Sequence, residues 1–202
     1  IDAPTGMEVL FRALNTEKAE LLLPAETRVT HLEATPWSIH LVKFSNLELG
    51  EKYQLQVLNK DGHVIDQRFF KTLDTDNQMP RVAFISCCKD EVENVDAWKS
   101  VFKSKPGLLL IIGDSVYGDS NVPQTPEFLA KRYIEARSKI AFYHNESLLP
   151  VVLTWDDHDY GLNDGGAGFP GAEIAQKEFC EFFQVPADSP LRTSPGVYDC
   201  VP

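Results

Sequence analysis

Two short stretches concentrate side chains able to hold a cation or move a proton. Gly113-Asp114-Ser115-Val116-Tyr117-Gly118-Asp119 directly follows the apolar run Leu108-Leu109-Leu110-Ile111-Ile112. Thr154 to Asp164 follows Leu148 to Leu153 and carries Asp156, Asp157, His158 and Asp159 in succession. Short apolar runs read as buried strands, so each abrupt change of composition marks a strand end crowned with oxygen and nitrogen donors. The carboxylates of Asp156, Asp157 and Asp159 repel one another unless a cation, a proton or solvent lies between them. A bound metal is the simplest account of that crowding.

These loops need elements to position them. Arg81 to Ser86 reads as a strand, Val95 to Phe102 as a helix, Leu108 to Ile112 as a strand, and Pro126 to Tyr143 as a helix. The last of these has Thr125 as cap, proline at its first position and Leu129, Tyr133, Ala136 and Ile140 along one face. A further strand ends at Leu153, and Ala172 to Phe183 gives a helix that buries Ala175, Phe179 and Phe182. Alternating strands and helices predict parallel strands with helices across the sheet faces. Ser86-Cys87-Cys88, Gly113 to Tyr117 and Asp156 to Asp164 then meet at one sheet edge.

Upstream the pattern differs. Trp37 to Leu41 and Tyr53 to Val57 alternate as half-buried strands, Asp61-Gly62 marks a hairpin turn, and Phe69 to Thr72 ends the series. Residues 1–76 therefore read as a small all-β sandwich, and the polar segment Asp74 to Pro80 as a linker to an α/β unit over 80–202. His31, His40 and His63 lack metal-ligand spacing and read as strand or surface residues.

The 202 residues carry a net charge of −11. That balance excludes a basic surface that grips nucleic acid or anionic lipid. No apolar run approaches the roughly 20 residues of a membrane span. Cys87, Cys88, Cys180 and Cys200 are too few for a disulfide scaffold, and whether Cys180 and Cys200 pair is left open.

Gly113-Asp114-x-x-Tyr117, followed after a strand by Asp157-His158-Asp159, resembles the motifs of metallophosphoesterases of the calcineurin-like and purple acid phosphatase-like group. With Ser86-Cys87 at the first strand end and Trp155 ahead of the aspartates, the ordered set resembles the alkaline phosphatase D (PhoD-like) branch. Leu47 to Val57, with its glycine and tyrosine, resembles the corner of a fibronectin type III domain, in which the tyrosine hydroxyl closes on upstream backbone. The resemblance implies a fibronectin III/Ig-like sandwich followed by an α/β metallophosphoesterase domain that is incomplete at its C-terminus. No histidine follows His158 to complete the metal site, so the chain reads as the amino-terminal portion of a longer enzyme.

The same resemblance implies metal ligation by Cys87, Asp114, Tyr117 and Asp157, with Cys88 replacing Cys87 if the strand register shifts by one. His158 is the acid or hydrogen-bond donor at the leaving oxygen, and Asp159 orients it. Thiolate and tyrosinate suit Fe(III) better than a hard divalent ion, and Asp114 bridges to a second ion, Ca, Zn or Mg. The implied reaction is hydrolysis of a phosphate mono- or diester by metal-bound hydroxide. A secreted or periplasmic location is implied as well; the oligomeric state is not.

Two rival readings use the same residues. Gly113-Asp114-Ser115 with Gly161-Leu162-Asn163-Asp164 matches the nucleophile and oxyanion blocks of a GDSL-type esterase using Ser115, although Trp155 stands where its acid should precede His158. Asp157-x-Asp159-x-Gly161 faintly matches a calcium loop in a non-catalytic adhesion module. Asn163 and Asp164 read either as a loop over the site or as further ligands.

Overall fold

The structure, a computed structural model, describes residues 7–32, 35–74, 76, 79–90, 95–119 and 124–197. Tyr198 to Pro202, including Cys200, lie outside the described residues, as do three positions of the expected linker and the segment 120–123.

The first part is antiparallel. Strands β1 (Val9–Asn15), β2 (Leu21–Leu22), β5 (Lys52–Asn59) and β6 (Val64–Lys71) form one sheet in the order β2-β1-β5-β6. Strands β3 (Glu26–His31) and β4 (Ser38–Lys43) form a second. The rings of Phe11 and His40, 5.6 Å apart, bring the two sheets into contact. Tyr53 is 1% exposed, stacks on Phe70 and accepts a hydrogen bond from the Glu48 amide at 2.9 Å, fixing the corner that enters β5. The β5–β6 turn is tied by Asn59, whose side-chain oxygen accepts from the Asp61 and His63 amides around Gly62 at φ +81°.

The second part is parallel. Strands β7 (Val82–Ile85), β8 (Leu108–Ile112) and β9 (Val151–Thr154) pair in chain order, connected through α1 (Val95–Ser104) and α2 (Pro126–Lys139). After β9 come the single turn α3 (Asp157–Tyr160) and α4 (Ala172–Phe182). Thr125 caps α2 by accepting from the Phe128 amide, and Leu129, Tyr133 and Ala136 are buried along its inner face. The helix stops at Lys139 rather than reaching Tyr143, because Ile140 is extended (φ −72°, ψ 121°) and Ala141–His144 forms a 3₁₀ turn. That break brings the Phe142 ring to 5.3 Å from Trp98 of α1, a tertiary contact that overrides helical continuation.

Along the parallel strands Ala83, Ile85, Leu109, Ile111, Val151 and Leu153 join one core with Trp98, Tyr133 and Phe179 of the helices. The alternate residues Val82, Phe84, Ile112 and Val152 are exposed. Only one sheet face is covered among the described residues, where the strand and helix alternation predicts cover on both. The two parts touch directly: the Phe69 amide donates to Glu146 O and its carbonyl accepts from Leu148, each at 2.7 Å, while Leu32 and Ile39 enter the α/β core.

Candidate metal centre

The loops after β7, β8 and β9 converge at the carboxyl edge of the parallel sheet. Cys88 N–H donates to Asp114 O at 2.9 Å, and Gly118 N–H donates to His158 O at 3.0 Å. Asp159 is fully buried and braces this convergence. One of its oxygens accepts from Ser115 Oγ at 2.5 Å and Val116 N at 3.0 Å, and the other from Asp156 N at 3.1 Å. Gly113, at φ +113°, lies so close to the next loop that a Cβ there would stand 2.4 Å from Asp156 Cβ. A side chain at this position would push the β8 and β9 loops apart.

Donor atoms of Asp114, Asp157 and His158 lie within 4.8 Å of one another. Asp114 is 5% exposed; one oxygen accepts from Cys87 Sγ at 3.4 Å and the other, Oδ1, is buried without a hydrogen-bond partner. Burial, then the negative charge of Asp114, raises the Tyr117 pKa, so the metal-free phenol is neutral and ligation would have to displace its proton. Asp157 is held below the usual carboxylate range, chiefly by the Asp164 amide that donates to it at 2.6 Å. An unpaired buried carboxylate oxygen is unfavourable unless a cation meets it, and two carboxylates beside a thiol and a phenol that ligation would deprotonate form a donor set suited to a cation. These residues fit a metal ion.

Among the residues singled out from the sequence, Cys87, Asp114, Tyr117, Asp157 and His158 come together. Cys88 instead turns into the core beside Trp98, and burial pushes its thiol up to about 12. Asp159 does not orient His158. The imidazole Nδ1 pairs with Asp119 Oδ2 at 2.6 Å, while the Asp159 carboxylate is occupied by the three donors of the brace. Burial pulls the His158 pKa down, but the hydrogen bond and charge of Asp119, joined by Asp114 and Asp157, outweigh it and raise it. The His158 ring also lies on Tyr117, with centroids 4.1 Å apart.

The rival sites lose their key groups. Ser115 is buried and donates to Asp159, and among the described residues no histidine hydrogen-bonds to it, so the serine–histidine pair that the esterase reading needs is not formed. The calcium-loop reading needs Asp159 at the ion, but that carboxylate is inside the fold. Asn163 bonds to the Asp164 side chain, and Asp164 acts through its amide, which steadies Asp157.

Two positioning residues escaped the sequence reading. Arg132 of α2 donates to the Tyr117 carbonyl at 3.0 Å, to Glu135 at 2.6 Å and to Asp90 at 3.0 Å, tying the β7 and β8 loops to one helix. Asp90, its side chain 1% exposed, also receives Lys139; these two cations overcome the upward pull of burial and lower its pKa. Gln124 donates to the carbonyls of both Gly118 and Gly161, bridging the β8 and β9 loops. Cys87 and Asp114 themselves sit at φ +54° and +53°, left-handed backbone that each non-glycine residue occupies at a cost of roughly 1 kcal/mol.

Among the described residues no helix is long and apolar enough to cross a membrane. No protein-family model and no curated protein matches this chain.

Proposed function

We propose that the chain combines a fibronectin III-like sandwich with an alkaline phosphatase D-type metallophosphoesterase unit, and that its site hydrolyses phosphate mono- or diesters with bound metal. The observation that carries this reading is the buried, unpartnered Asp114 Oδ1 beside Asp157 and His158 at converging strand ends. Cys87, Asp114, Tyr117 and Asp157 would hold the metal, with iron best matched to the sulfur and phenol donors and Ca, Zn or Mg as a second ion. When bound, such a centre supplies Lewis acidity toward phosphoryl oxygens and acidifies a water molecule.

The chain's own residues add three things. Asp159, Ser115 and Gln124 fix the loops that carry the ligands. Asp119 accepts from His158 Nδ1 and stabilises the imidazolium, leaving Nε2 to pass a proton to the leaving oxygen. The acidic surroundings keep that imidazolium charged. Function in the cell envelope or outside the cell belongs to the same reading.

Titration of the metal-free chain with Fe(III) tests the proposal. The expected result is stoichiometric uptake with a visible charge-transfer band that Tyr117→Phe removes, together with p-nitrophenyl phosphate hydrolysis that follows metal content. A folded chain that takes up no metal would refute it.

A further inference from the structure

Between the sandwich and the α/β unit lies a cavity of about 760 Å³, within the size range of small-molecule sites. Leu32 and Ile39 line it from one side, and Ile134, Phe142, Leu153 and Phe183 from the other. Two arginines also face it. Arg68 is neutralised by Asp66 at 3.0 Å and donates to Asn145 O at 2.8 Å. Arg137 has no carboxylate partner among the described residues. Its guanidinium lies 4.8 Å from the Tyr143 ring centroid and 4.9 Å from that of Phe182.

We infer that this cavity binds an amphipathic monocarboxylate, with its aliphatic chain among the apolar walls and its head group on Arg137. The two rings hold the guanidinium in place, so little side-chain freedom is lost when its planar donors meet a carboxylate. In a chain of net charge −11, a pre-positioned cation without an acidic neighbour selects an anion locally. An uncharged chain would gain only the walls, and a cationic one would be repelled by Arg137.

Dodecanoate is titrated into the chain, below its micellar concentration, while binding is followed by calorimetry, with dodecanol, dodecyl phosphate and dodecyltrimethylammonium as comparisons. Saturable binding of dodecanoate is expected, about tenfold or more tighter than dodecanol. Arg137→Gln should bring the carboxylate to the affinity of the alcohol, Arg137→Lys should keep part of the difference, and Leu153→Trp should weaken both by filling the space. Absence of saturable dodecanoate binding would overturn the inference. Equal dodecanoate affinity in wild type and Arg137→Gln, with unchanged far-UV circular dichroism, would also overturn it, and tighter binding of dodecyl phosphate would overturn the carboxylate assignment.

Discussion

His158 Nδ1 lies 2.6 Å from Asp119 Oδ2, a pairing between the β8 and β9 loops across 39 positions of sequence. It fixes which ring nitrogen is engaged and raises the histidine pKa above its ordinary value. A raised folded-state pKa means that the imidazolium stabilises the fold fully below the unfolded value near 6.5. This contribution disappears as pH rises through the folded value. Asp119→Asn should therefore lower the His158 titration midpoint followed by NMR. An unchanged midpoint would assign the shift to other groups.

Asp114 links ligand chemistry to fold stability. Asp114→Asn removes a carboxylate charge whose burial cost and attraction to His158 oppose each other, so the metal-free protein should keep its stability to within about 1 kcal/mol in urea denaturation. The same change should weaken metal affinity at least tenfold, measured by equilibrium dialysis. A variant that is destabilised and still binds metal normally would contradict the role given to Asp114 Oδ1.

The Asp159 brace has its own pH signature. Burial, only partly offset by Ser115, Asp156 and Val116, raises its pKa from 3.8 to about 6. The raised value favours the fold below about pH 4, and the advantage is lost as pH rises through 6. Its full size is about 3 kcal/mol. Comparing denaturation of the metal-free wild type with Asp159→Asn between pH 4 and 7 isolates this contribution. The stability difference should change across that interval and level off above it.

Removing the Arg132 guanidinium should be among the most destabilising single changes outside the core. Arg132→Ala strips Asp90 of its closest cation, with only Lys139 left, and frees the Tyr117 carbonyl. A loss of about 3–4 kcal/mol is expected. Arg132→Lys should recover less than half, because an ammonium cannot reach Asp90, Glu135 and Tyr117 together. Thermal denaturation of the two variants gives the comparison.

Much of the local structure was legible in the sequence. The β8 strand matches its apolar run from Leu108 to Ile112, and Leu129, Tyr133 and Ala136 lie on the buried face their spacing predicts. The convergence of three polar loops followed from strands and helices in alternation. Proximity in sequence misled at Asp159. On the single turn of α3, adjacent side chains do not face each other, so the neighbour of His158 points into the fold and the partner comes from another loop. Arg132 carried no signal, since a basic residue three positions before Glu135 reads as an ordinary surface ion pair. The early stop of α2 depends on Phe142 meeting Trp98, and the uncovered sheet face depends on where the helices pack; neither is a local property.

The left-handed backbone at Cys87 and Asp114 bears on how the two side chains meet. Glycine would relax both positions but would add freedom to the unfolded chain, so the thiol and the carboxylate that face each other are held in left-handed backbone at little net cost to stability. The two side chains are thereby aimed at one another by backbone geometry that neither residue type favours, and a substitution at either place re-aims its neighbour's contact as well.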